Sequence, residues 1–263
     1  MTVAASSVGS LAGRGVLVTG GSMGLGLACA GEALAAGARV VLAARGAETL
    51  RQAAEQLSAD HPGRVSWVVA DVSEPAQVDA MVSSAVERLG RLDGLVHAAA
   101  VQGVIGPVLD VDPAEWFDTL RTNLLGSFLV ARSAAAAMRQ TGGGRIVLFS
   151  GGGATGPFPN YTAYACSKAG VVRLAETLAV ELSEYGIAVN CIAPGFVATR
   201  IHEATLAAGA RAGAAYLART QAQLAEGGVP ASLSGRAVVF LLGSQSEGIT
   251  GRLLAAPWDD WND

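Results

Sequence analysis

The sequence predicts an α/β fold in which βαβ units lie on a parallel sheet within one domain. Three observations carry this. Valine-rich apolar runs of five to seven residues alternate with segments of helical periodicity along the chain. A glycine-rich turn falls at the first strand-to-helix junction. Finally, 263 residues at 51% hydrophobic and 15% charged are enough for one well-filled α/β domain and too few for two comfortable ones.

The strand candidates, in order, are GVLVT (15–19), RVVLAA (39–44), VSWVVA (65–70), LVHAA (95–99), RIVLFS (145–150) and IAVNCIA (187–193). Between the third and fourth, Val78, Met81, Val82, Ala85 and Leu89 recur at helical spacing. Between the fifth and sixth, Val171, Leu174, Ala175, Leu178 and Leu182 do the same. No repeat and no linker interrupts the pattern. The stretch 200–230 breaks it with an Ala-rich helical insertion ending in Gly-Gly and Pro. Its place late in the chain, just after a strand, suits a lid over a crevice; a surface helical hairpin would read the same way.

Composition excludes several functions. A net charge of −4 without a basic cluster offers nothing to neutralise a row of phosphates, so nucleic-acid and anionic-membrane partners are not expected, and small molecules are. Cys29, Cys166 and Cys191 are odd in number and far apart, and His61, His97 and His202 form no ligand pair. No metal site is read from them, and reduced thiols fit a cytoplasmic location. The start MTVAASSVGSLAGR lacks a signal-peptide pattern, and no apolar run approaches about 18 residues.

Two motifs carry chemistry. TGGSMGLG, Thr19 to Gly26, lies between the first strand and a helix starting near Leu25. Glycines at 20, 24 and 26 let the backbone turn tightly and approach a pyrophosphate, whose charge is favoured at a helix N-terminus. In a chain with 34 glycines the turn alone says little; its position says more. The second motif is Tyr164 and Lys168, four positions apart in SGGGATGPFPNYTAYACSK. The chain has 17 Arg and a single Lys, and that Lys is Lys168. A compact ammonium can lie against ribose hydroxyls and beside a phenol, where a planar guanidinium does not fit, and it should lower the phenol's pKa.

With Thr19-Gly20, Gly24 and Gly26, then Tyr164 and Lys168, then Ala193-Pro194-Gly195 with Thr199 beyond, the chain resembles the short-chain dehydrogenase/reductase family over nearly its whole length. The resemblance implies a Rossmann-type doubly wound parallel sheet of about seven strands with helices on both faces, a nicotinamide cofactor, and a homo-oligomer, dimer or tetramer, packed through long helices. It makes Tyr164 the general acid/base. It also implies that Asp71 holds the adenine, that Asn123 anchors a proton-relay water, and that Pro194, Gly195 and Thr199 sit at the nicotinamide. Further cofactor contacts fall on Ser22, Met23, Leu25, Val72, Ala98 and Val197, besides Tyr164 and Lys168. Asp71 and Asn123 each lie near an element end, so ordinary helix capping also accounts for them.

The departures bear on the substrate. The family's catalytic serine, about thirteen positions before the tyrosine, is Gly151 here. Ser150 ends the strand, and by alternation its side chain should point away unless the glycines bulge the chain. The family's Asn-Asn-Ala-Gly reads His97-Ala98-Ala99-Ala100, and the chain ends APWDDWND. Ser150, His97 or the substrate itself could supply the missing hydroxyl. Glycines at 151, 152 and 153 would make room for a bulky substrate, or merely permit a tight turn. Tyr161 is expected as a pocket wall. The expected function is a carbonyl reductase or alcohol dehydrogenase; a non-redox dehydration, isomerisation or cyclisation on the same scaffold, and a cofactor-binding protein without catalysis, remain open. NADP(H) is expected over NAD(H), because the second strand ends Ala43-Ala44-Arg45 with no acid for a ribose 2′-OH and a guanidinium where a 2′-phosphate would lie. Met23 argues the other way, since many NADP-preferring relatives carry a basic residue there.

Overall fold

The computed structural model of the chain describes residues 10–261. Its strands are β1 (Gly15–Thr19), β2 (Arg39–Ala44), β3 (Val65–Val69), β4 (Gly94–His97), β5 (Gly144–Phe149), β6 (Ile187–Ala193) and β7 (Leu253–Ala255). They form one parallel sheet in the order β3-β2-β1-β4-β5-β6-β7. The seventh strand had no sequence signal: three residues on a sheet edge are too short to show a period. The helices are α1 (Gly24–Ala35), α2 (Ala47–Asp60), α3 (Pro75–Leu89), α4 (Pro113–Leu120), α5 (Gly126–Arg139), α6 (Thr162–Glu181), α7 (Glu203–Ala208), α8 (Ala214–Ala225) and α9 (Ala231–Leu242).

Strand alternation sorts the core into two layers. Leu17, Val41, Leu95, Ile146, Leu148, Val189 and Cys191 face α3, α5 and α6. Their sequence neighbours Val16, Val18, Leu42, Val96, Val147, Phe149 and Ile192 face α1, α2 and α9. Continuous apolar strands are what a sheet buried on both faces requires. All five periodic positions of α3 are buried, as are Val171, Ala175 and Leu178 of α6; Leu174 and Leu182 pack at the rim of the same layer. The strand order reverses between β1 and β4, where crossovers leave to opposite faces and a crevice opens beyond the carboxyl ends of the strands.

Candidate active site

The crevice at that switch point encloses about 1680 Å³, well above the roughly 300–1,000 Å³ of an ordinary small-molecule pocket. It has room for a dinucleotide and a second molecule. Its floor is the glycine turn. Gly20 and Gly24 have φ of +68° and +54°, in the left-handed region that L side chains avoid. A Cβ on Gly26 would run into the carbonyl oxygen of Gly20, so α1 can start against the turn only because the residue is bare. No side chain caps the first turn of α1, whose N–H groups are left for an anion. Ser22, Met23 and Leu25 line the crevice with these glycines.

At one end, Arg45 and Asp71 form an ion pair at 3.8 Å, with side chains 64% and 28% exposed. Asp71 Oδ1 accepts from the backbone N–H of Ser73 at 2.9 Å and from its hydroxyl at 2.8 Å, so one oxygen closes a local turn while the other faces Arg45. Burial raises the Asp71 carboxyl, but the Ser73 hydrogen bonds, with Arg45 and Arg121, outweigh it and hold the group below its ordinary value. The N-cap of α3 is Glu74, so Asp71 is not that helix's cap. Val72 and Ala98 complete this wall.

Asn123 lies in a π-helical turn, Arg121–Leu125, that joins α4 to α5. Its fully buried amide accepts from Val101 N at 2.9 Å, donates to Val101 O at 2.9 Å and donates to Ser167 Oγ at 3.1 Å. Ser167 in turn donates to the Tyr164 carbonyl at 2.7 Å. The side chain therefore clamps the loop after β4 to the start of α6 and caps neither helix. Ser167 had no signal in the sequence beyond lying between Tyr164 and Lys168.

Tyr164 and Lys168 are one turn apart on α6 and both buried at the crevice. Lys168 Nζ donates to Phe149 O at 3.0 Å and lies 5.7 Å from the Tyr164 ring centre. Burial pushes Lys168 down to about 8, with Cys191 opposing. The Tyr164 phenol is raised by burial and then by Tyr216, which corrects the expectation that Lys168 lowers it: desolvation dominates, and the ammonium is held on a backbone carbonyl. Beside the phenol stands Gly151, where a Cβ would lie 2.5 Å from Tyr164 Oη and 3.1 Å from Cζ. The tyrosine hydroxyl thus occupies the volume in which a side chain at 151 would begin. Ser150 continues the β5 ladder through its N–H to Ile192 O at 2.9 Å, and its buried Oγ has no partner among the described residues. His97 does not line the crevice; it is buried beneath it, with Nδ1 at 2.8 Å from Thr19 Oγ1.

The roof comes from the late segment. Pro194, Gly195, Val197 and Thr199 line the crevice, and the Thr199 methyl is the nearest group over Gly24. A bridge between Val197 and Gly228 returns the chain, so that α7, α8 and their flanks lie over the opening. Tyr161 is not a pocket wall: it is wholly buried, stacks on Phe158 with ring centres 4.3 Å apart, and donates to Thr205 Oγ1 at 2.9 Å. It pins the segment to the start of α6. Residues the sequence did not single out include Gln102, Asn160, Tyr216 and Trp258, all lining the crevice. Asn160 carries φ of +68°, uncommon for a residue with a side chain, and accepts from Gly106 N at 2.9 Å. Among the described residues no helix is long and apolar enough to cross a membrane, and no His/Cys/Asp/Glu cluster could hold a metal.

A parallel seven-stranded sheet with a glycine turn at its switch point, and a Tyr–Lys pair one helical turn apart at the crevice, defines a nicotinamide-dependent oxidoreductase fold. A family model for short chain dehydrogenases matches residues 14–208, and the chain belongs to the short-chain dehydrogenase/reductase family. Levodione reductase of Leifsonia aquatica is 37% identical over 206 residues, 77% of this chain and 76% of that protein. Among solved structures, a variant actinorhodin polyketide ketoreductase with NADPH superposes with a TM-score of 0.84 at 30% identity, covering 92% of this chain and 95% of that one. NAD+-bound xylitol dehydrogenase superposes with a TM-score of 0.84 at 31% identity, covering 93% and 97%. The chain is an NAD(P)-dependent oxidoreductase.

Proposed function

We propose that the protein reduces the carbonyl of a bulky small molecule with NADPH, or oxidises the corresponding secondary alcohol, with Tyr164 as acid/base. The observation that carries this is the Tyr164 hydroxyl set against the bare Cα of Gly151 at a crevice large enough for cofactor and substrate together. The residues fit a dinucleotide. The glycine turn and uncapped α1 would take the pyrophosphate, Asp71 and Val72 the adenine, Ala98 the adjoining ribose, and Pro194, Gly195, Val197 and Thr199, which line the same crevice, the nicotinamide end. When bound, the nicotinamide supplies the hydride. Tyr164 donates its proton to the carbonyl oxygen, and the Lys168 ammonium stabilises the phenolate that remains. Asn123 holds the loop after β4 against Ser167 on α6; the family resemblance assigns it the water through which the proton is replaced.

Support for NADP(H) is Arg45, an exposed guanidinium at the end of β2 with no carboxylate at 44–46 to claim a 2′-hydroxyl. Residues 200–230 act as the substrate lid, an assignment supported by their position over the opening. Exposed Phe117, Phe128 and Val180 on α4, α5 and α6 support pairing with a second copy, and three free thiols support a cytoplasmic setting. The test follows NADPH oxidation against a panel of aromatic and alicyclic ketones and weighs the products. One alcohol, heavier by two hydrogens, is expected per NADPH consumed. Products isomeric with the substrate, or dehydrated without cofactor turnover, overturn the reading.

A further inference from the structure

His97 stands where relatives are expected to carry an amide, and nothing proposed above uses it. By strand alternation it shares the face of Leu95, the face on which α6 packs and from which Lys168 enters. Its register partners are Thr19 on β1 and Leu148 on β5, and Ser150 lies two residues beyond Leu148 on the same side. The ring is 3% exposed. Nδ1 meets Thr19 Oγ1 at 2.8 Å, but Nε2 is buried without a partner among the described residues, as is Ser150 Oγ. Orphaned buried polar atoms are uncommon and call for a function. Lys168, for its part, has three ammonium hydrogens and, among the described residues, one hydrogen bond, to Phe149 O.

The ring is neutral, because burial and then the Lys168 charge hold its pKa down to about 3. A neutral imidazole has one N–H and one lone pair, and the nearby cation decides which nitrogen carries which. An N–H on Nε2 would direct a positive dipole toward the ammonium, whereas an N–H on Nδ1 is donated to Thr19 Oγ1 and turns the lone pair of Nε2 toward it. The other titratable groups around Lys168 cannot take this place. The Cys191 thiol on β6 is pushed up to about 12, chiefly by burial, and the Tyr164 phenol on the same helix is raised too, so both stay protonated.

We propose that His97 is a positioning residue for Lys168: its Nε2 lone pair, which makes no direct hydrogen bond to any described residue, accepts from the buried ammonium across one bound water shared with Ser150 Oγ, and so keeps that group charged and fixed beside Tyr164. This rests on the reading that Lys168 serves Tyr164. The test does not, because Lys168 is the only lysine of the chain and can be observed alone. In protein labelled with ε-13C lysine, a single side-chain resonance reports its titration. His97→Leu is expected to move that titration about one pH unit lower, the size of one lost hydrogen bond to a charged group. His97→Gln, which returns an acceptor, should recover most of the shift. An unchanged or raised Lys168 titration in folded His97→Leu overturns the proposal, and so does a Gln variant that titrates like the Leu variant. If His97→Leu does not fold, 15N-histidine spectra of the unsubstituted protein decide: the hydrogen on Nδ1 is expected, and a hydrogen on Nε2 overturns the proposal. Full turnover in Tyr164→Phe would sink the catalytic reading while leaving these titrations as they are, so the two failures are distinguishable.

Discussion

Gly151→Ser puts back the hydroxyl that the family carries beside its tyrosine, and two effects of similar size then compete. A well-placed donor at such a site contributes about two to three orders of magnitude in rate. Against it stands the geometry: the new Cβ would lie 2.5 Å from Tyr164 Oη, 3.1 Å from Cζ and 3.2 Å from Cε1. Ordinary van der Waals contact begins near 3.4 Å, so the hydroxyl must retreat by about 0.9 Å. Three atoms along one ring edge are involved rather than a flexible tip, and the ring is only 8% exposed, so it cannot swing aside freely. Displacing a reacting group by about 1 Å costs on the order of 100-fold, and the displaced phenol also takes the new hydroxyl out of alignment. Turnover should therefore fall by about 10- to 100-fold. Gly151 is not among the positive-φ glycines, so backbone strain does not confuse the result. Gly151→Ala carries the same Cβ without the hydroxyl and should fall at least as far. The assay is kcat and KM for the best ketone of the panel, with thermal melting to confirm the fold. A serine variant ten times faster than the unsubstituted protein would refute the reasoning and show that the hydroxyl was simply missing.

Tyr164→Phe removes one hydroxyl and should lower kcat by about 10²- to 10⁴-fold with the melting temperature little changed; near-normal kcat in this variant would exclude Tyr164 as the acid. Lys168→Arg keeps the charge but puts a larger group into a buried place, so it should lower kcat as far and the melting temperature by a few degrees while still folding. Arg45→Ala should weaken NADPH binding about tenfold or more and leave NADH binding nearly unchanged, measured by direct titration of both; equal losses would show that Arg45 does not read a 2′-phosphate. Acid should destabilise the fold through His97. Its folded pKa, about 3, lies below the ordinary 6.5, so the unfolded chain takes up the proton first and stability is lost as pH falls from 6.5 toward 3. The full contribution is on the order of 4 to 5 kcal/mol, an upper figure for a ring that relaxes as it charges. Urea midpoints of His97→Gln measured across that range should fall less steeply with acid, and parallel curves would count against the buried neutral ring.

Much of this molecule is legible without its coordinates. The valine-rich runs and the 3.6-residue spacing of Val78, Met81, Val82, Ala85 and Leu89 report which faces must be buried, and all five are. The spacing of Tyr164 and Lys168 is a single helical turn, so their sharing a helix face follows from local geometry alone. The bare positions at 20, 24 and 26 were likewise readable, because a tight turn needs them wherever the chain goes. Tertiary structure decided what depends on pieces far apart in sequence. The spacing to Lys168 tells Tyr164 from Tyr161 in the sequence, but only packing shows that Tyr161, expected as a pocket wall, goes into the interior against Thr205 while Tyr164 reaches the crevice. Asn123 read equally as a cap or a site residue until residues 101 and 167 were brought to its amide. Whether Gly151 marks an empty place or a filled one was settled by where α6 sets the Tyr164 ring against β5. Periodicity says which side of an element is buried; how close two buried sides come depends on the volumes of every side chain packed between them, which no single stretch of sequence contains.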